Sequence, residues 1–115
     1  MAKFLTKVLI TAIAALVASY ILDGVHINSI TTGFIVAIVL SLLNNFIKPI
    51  LVVLTIPITI FTLGLFLIII NILIIKWAAS LVDGFEVDSW WAAFLFSIIV
   101  SIVTSLLEGL IGTDD

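Results

Sequence analysis

Asp83, Glu86 and Asp88 place three carboxylates within six residues of one loop. Hard divalent cations take such oxygen ligands. The run Asp83-Gly-Phe-Glu86-Val-Asp88 nevertheless lacks the ligand spacing of a calcium loop, and a solvated acidic turn is the simpler reading. An earlier loop, Asp23-Gly-Val-His26-Ile-Asn28, carries one acid and the single His of the chain. There is no Cys, so neither a Cys–His nucleophile pair nor a thiolate metal site can be built. No acid–base pair or nucleophile stands out. The chain reads as a non-enzyme, with no catalytic residue, cofactor or metal expected.

The polar residues inside apolar runs say more. Asn44 and Asn45 close one such run just before Lys48-Pro49, and Asn71 stands in the middle of another. An amide in hydrocarbon must find a partner. It serves either as glue between helices or as part of a polar path or switch, and both remain open for Asn71. Asn44, Asn45 and Lys48 are expected to hold a break in the chain leading into Pro49. Lys48 and Glu108 are candidates for an ion pair at the membrane boundary, or for two separate charges in the headgroup layer.

The elements that position these residues follow from composition. Of 115 residues, 64% are hydrophobic and 10% charged, and the mean hydropathy is +1.53. Soluble domains are nearer 45–50% apolar and about 25% charged, so lipid is the expected solvent. The net charge of −3 is scattered, with four Lys and no Arg. Nucleic-acid binding needs clustered basic residues and is excluded, and no small-molecule substrate is identifiable. Apolar segments at about 4–22, 30–47, 63–82 and 89–111 each approach the roughly 20 residues of a spanning helix. The first resembles a signal peptide at its start, but its apolar run continues to Leu22, which suits a retained helix. Pro57 and Gly64 divide the long stretch from Pro49 to Val82. They leave about 49–62 as a re-entrant or interfacial segment, with Thr55, Thr59 and Thr62 available to cap freed carbonyls. One kinked, tilted helix from Pro49 onward is the alternative. With the termini cytoplasmic, Lys3, Lys7 and Lys48 fall inside, while Asp23, His26, Asp83, Glu86 and Asp88 fall outside. That satisfies the positive-inside rule. Tyr20, Trp77, Trp90 and Trp91 then gather at the outer boundary, as interfacial aromatics do.

A shift of 60 residues superimposes two parts of the chain. Asp23-Gly24 maps onto Asp83-Gly84, Ser29 onto Ser89, Phe34 onto Phe94, Ile38 onto Ile98 and Ser41 onto Ser101. The fold class expected is an all-α membrane bundle of four transmembrane helices with a Pro-broken segment, built as a parallel two-helix tandem repeat. The repeat carries a stripe of small residues: Gly33, Ala37, Ser41 and Asn45 in one helix, and Ala93, Ser97, Ser101 and Ser105 in its equivalent. Four-residue spacing puts each set on one face, and such faces let membrane helices approach closely. The second and last spanning helices are therefore expected to pack on each other or on copies of themselves. The same shift maps Lys48 onto Glu108.

The run from Asn44-Asn-Phe-Ile-Lys48-Pro49 through Pro57 to Thr62-Leu63-Gly64, followed by Asn71, resembles the bacterial four-transmembrane family known as phage holin superfamily IV. The connector Asp83-Gly-Phe-Glu-Val-Asp-Ser-Trp-Trp-Ala-Ala93 is similar to that family's second connector. The resemblance covers nearly the whole chain; only Gly112–Asp115 looks individual. It implies a small protein of the bacterial inner membrane. The function expected is that of a holin-like protein, with membrane lipids and copies of itself as partners, which oligomerises to permeabilise or remodel that membrane. A non-enzymatic envelope-stress, lipid-interacting or scaffolding role is the alternative, as is a small oligomeric channel or transporter.

Overall fold

A computed structural model describes residues 2–111. Helix α1 (Ala2–Ile21) leads into a short strand β1 (Val25–Ile27). Helix α2 (Ile30–Leu42) continues through a π-helical turn, Leu43–Ile47, into α3 (Lys48–Leu54). Helix α4 (Ile56–Phe61) and helix α5 (Leu65–Leu81) follow, then strand β2 (Phe85–Val87) and helix α6 (Trp90–Ile111). Among the described residues, three continuous helical stretches have the length and apolar character to cross a membrane: Ala2–Ile21, Ile30–Leu54 and Trp90–Ile111. Helix α5 is a shorter apolar helix of 17 residues, at the lower end of the spanning range.

The break in the long apolar stretch lies later than the sequence suggests. Pro49 does not stop its helix, because the preceding turn is already widened. The Lys48 N–H bonds back to the carbonyl of Leu43, five residues earlier, which makes room for a ring that otherwise clashes with the carbonyl four residues before it. The chain breaks instead at Thr55, whose hydroxyl donates to the carbonyl of Leu51 at 2.7 Å. Thr62 repeats the device on Ile58 at 3.0 Å. Thr59 does not, since its Oγ1 is buried without a partner. Pro57 sits in the first turn of α4, where its missing N–H costs nothing. Helix α4 ends in a two-bond reversal, with Gly64 N–H on Thr59 C=O at 2.8 Å and Leu63 N–H on Ile60 C=O at 3.1 Å. That motif needs a left-handed residue, and Leu63 (φ 57) and Gly64 (φ 90) both take up left-handed φ values.

The helices form a ring. Helix α1 touches α2 and α6, and α5 touches the same two; α1 and α5 do not meet, nor do α2 and α6. The second and last spanning helices are therefore diagonal partners across the bundle, so of the two packings expected for them, on each other or on copies of themselves, the first is not made within the chain. The stripe on α2 faces α1 instead. A Cβ at Gly33 would lie 2.8 Å from the Leu16 side chain, and Ala37 packs with Val8 and Ala12.

At one end the connectors pair as an antiparallel ribbon, a feature with no counterpart in the sequence reading. Val25 faces Val87, His26 faces Glu86 and Ile27 faces Phe85. Asn28 N–H bonds to Gly84 C=O at 3.0 Å, and Asp88 N–H to Gly24 C=O at 2.8 Å. Each contact is the other displaced by 60 residues, so a local twofold passes between His26 and Glu86. The helix starts match too: Ser29 Oγ accepts from Thr32 N–H and Ser89 Oγ from Ala92 N–H, both at 3.1 Å. Beneath the ribbon lies the core, with equivalent residues buried together: Val25 and Phe85, Val36 and Phe96, Ile10 and Ile70, Ala18 and Ala78. The Phe85 and Phe96 rings stack at 5.5 Å. Many large apolar side chains elsewhere face outward, Leu63 being 92% and Leu110 83% exposed. A monomer in water does not carry apolar surface on that scale.

Candidate functional site: a polar cavity on the local twofold

Diagonal helices that do not meet leave space between them. At the ribbon end Phe85, Phe96 and the paired aliphatics fill it. Further along it is open, as a cavity of about 280 Å³. Helix α1 contributes Lys7 and Thr11 to its wall; the α2–α3 stretch contributes Leu40, Asn44 and Lys48. Helix α5 contributes Asn71, Ile74 and Ile75, and α6 contributes Ser97, Val100, Ser101, Thr104 and Ser105. Three of these pairs are equivalents at the 60-residue shift: Thr11 with Asn71, Leu40 with Val100, and Asn44 with Thr104. The cavity therefore straddles the same twofold as the ribbon.

Depth follows from helix rise. Asn71 lies ten residues before Leu81, or about 15 Å from the ribbon end of α5 at 1.5 Å per residue. Ser105 is about 22 Å and Lys48 about 27 Å along their helices from the same end. Ile75 and Ser97 lie only about 9–10 Å from it, so the cavity runs from there past mid-bundle toward the end that carries the N-terminus. Lys7, Asn44, Ser101 and Ser105 are exposed and form its mouth, while Thr11 is buried.

The wall mixes polar with apolar side chains, and its charges are positive. No carboxylate lines it among the described residues. Lys7 and Lys48 form no salt bridge there; the ion pair found is His26 with Asp88, at 3.3 Å on the ribbon. The expected Lys48–Glu108 pair is thus not made within the chain. Ser97 Oγ donates to the Phe94 carbonyl at 2.7 Å. Thr104 Oγ1 is buried and has no partner. The fourth lysine serves elsewhere: Lys76 donates from Nζ to the Val87 carbonyl at 3.2 Å, tying α5 to the ribbon.

The structure thus brings Asn44, Lys48, Asn71, Ser97, Ser101 and Ser105 together. It keeps the other flagged residues apart. Gly33, Ala37 and Ala93 are buried in helix packing, and Ser41 is also buried. Asn45, Pro49, Pro57, Gly64 and Glu108 lie outside the cavity wall. Lys7, Thr11 and Thr104 are lining residues that the sequence reading missed. A signal for two of them existed: Lys7 and Thr11, like Asn44 and Lys48, are four residues apart on an apolar helix and share a face. No group of acids and His able to hold a metal occurs among the described residues.

The model of the mycobacterial four-transmembrane-segment phage holin family, superfamily IV, matches residues 2–106. The chain belongs to this family. Within the family's span lie α1, α2 and α5 in full, α6 as far as Leu106, and every lining residue of the cavity. An uncharacterized membrane protein, YvlD, of Bacillus subtilis is 37% identical over 109 residues, which cover 94% of this chain and 92% of that one. An uncharacterized protein of Streptomyces coelicolor, SCO3922, is 38% identical over 125 residues covering both chains in full. No solved structure matches. The protein is a multi-pass membrane protein of the holin family, and that family is not known for enzymes.

Proposed function

We propose that the protein is a non-enzymatic, lipid-interacting component of the bacterial cytoplasmic membrane. It crosses four times as two equivalent helical hairpins, with both termini in the cytoplasm, and admits polar groups of the inner leaflet into the bundle. One observation carries this reading. The polar cavity opens toward the terminal end of the bundle and reaches inward to Ile75 and Ser97, and the Phe85–Phe96 core closes the ribbon end. A polar space that enters from one face and ends inside suits a guest from that leaflet. It does not suit a solute that must leave on the other side. The sidedness is supported by Lys3, Lys7 and Lys48 lying toward the terminal end, as cytoplasmic ends do.

Liposomes carrying dyes of graded size test this. The reconstituted protein is expected to retain every dye and to hold lipid through purification. Size-limited release that Asn71→Leu abolishes would overturn the reading in favour of a through-path. A second reading, a holin-like assembly of several copies that permeabilises the membrane, is favoured by one feature of α6. Ile98, Ile102, Leu106 and Leu110 stay exposed, leaving a face for another copy. Release of all sizes, unchanged in Asn71→Leu, would select it.

A further inference from the structure

The axial cavity is cationic as well as polar, and its charge is asymmetric about the twofold. Lys7 comes from α1 and Lys48 from α3, whereas their equivalents at the 60-residue shift are Leu67 and Glu108, and neither lines the space. Every charge in the wall is therefore an ammonium. Neither lysine has a salt-bridge partner among the described residues; Lys7 is exposed at the mouth and Lys48 half-buried. Around them stand amides and hydroxyls, which supply further donors.

We propose that this cavity binds the phosphate of an anionic ligand, with Lys7 and Lys48 supplying charge and Asn44 and Asn71 supplying donors. The proposal rests on the lipid-interacting reading above and names the chemistry of its guest. Lysine serves phosphate as a point charge that tolerates varied geometry, which suits two long side chains reaching in from different helices. One water needs roughly 10–15 Å³ of comparable space, so about 280 Å³ accepts a phosphate with part of its substituent. The mouth faces the end where anionic headgroups and basic residues meet. Two sources share this chemistry: a phospholipid headgroup, and inorganic phosphate from the aqueous phase.

The full chain, purified in a neutral detergent, is titrated with short-chain phosphatidylglycerol, with the matching diacylglycerol and with inorganic phosphate. Bound ligand is read by native mass spectrometry and calorimetry. Phosphatidylglycerol is expected to bind at least ~10-fold tighter than diacylglycerol. Lys7→Gln with Lys48→Gln should remove that preference, and Lys3→Gln should keep it. Ser101→Leu, which narrows the mouth and leaves both lysines, should also lose it and decides the matter if the double variant fails to fold. Binding of inorganic phosphate alone, lost in the same variants, supports the site and assigns it the free anion. Equal binding of phosphatidylglycerol and diacylglycerol, with no phosphate binding, overturns the proposal. So does a double variant that folds and binds as before, or a Lys3→Gln loss of equal size. The lipid-interacting reading survives each of these if the dyes stay inside; it falls only with their release.

Discussion

Leu63 shows how a single residue holds the turn before α5. It is nearly fully exposed and left-handed, a conformation that costs an L-residue about 1–2 kcal/mol. Leu63→Gly should therefore stabilise the protein by ~1 kcal/mol in denaturant titration in detergent. Gly64→Ala should cost about as much, and through the backbone alone, since a Cβ there meets nothing within 4 Å. Asn71 tests a different point. Glue between helices would lose stability on Asn71→Leu, whereas a cavity-wall amide would not. Stability is expected to be unchanged or higher, and a drop beyond ~2 kcal/mol would return Asn71 to the role of glue. The His26–Asp88 pair is about half exposed, so His26→Ala should move stability by no more than ~1 kcal/mol.

Among the elements, the ribbon and the α1–α2 contact both leave no room for an added Cβ. A Cβ at Gly84 would fall 2.9 Å from Asn28 Nδ2 with φ at +91, while one at Gly33 would meet only the flexible Leu16 side chain. Gly84→Ala should thus destabilise by about 2 kcal/mol and Gly33→Ala by less, as read from the same titrations. The sequence makes parts of this legible and hides others. Apolar runs and the paired Asp-Gly turns mark the helices and the repeat, because hydropathy and turn residues are local signals. The ribbon is hidden because three-residue strands between turns leave no alternation long enough to recognise. The widened turn at Leu43–Ile47 is hidden too: Pro49 reads locally as a stop, and only the observed bonding reveals that the helix carries on past it. The cavity was half legible. Its polar residues stood out, but their convergence depends on which helices are diagonal, and the small-residue stripe left open whether its helices meet each other or copies of themselves. Lys7 looked like a topological signal because it is one of only four basic residues in the chain.

At the scale of the whole molecule the prediction concerns sides. The extents of 39 × 35 × 22 Å accommodate a hydrocarbon layer of about 30 Å, with exposed Tyr20, Trp77, Trp90 and Trp91 toward the ribbon end. Single cysteines at Ser29 or Asp88 should react with a membrane-impermeant maleimide added outside intact cells. One at Lys3 should react only after lysis, and the reverse pattern would invert the topology. The ribbon also bears on how the two halves recognise each other. Its register would serve two identical hairpins equally well, each the mirror of the other's contacts across the twofold. What distinguishes the halves is their divergence at matched positions: His26 against Glu86, Asn28 against Asp88, and Val36 against Phe96. The His26–Asp88 contact joins unlike residues across the halves, and the Phe85–Phe96 contact needs two phenylalanines that only the second half carries. Two copies of the first half would set His26 against His26 and leave small valines where the phenylalanines belong. In their contacts the two hairpins thus form a tethered heterodimer, and the one-sided charge of the cavity follows from that loss of equivalence.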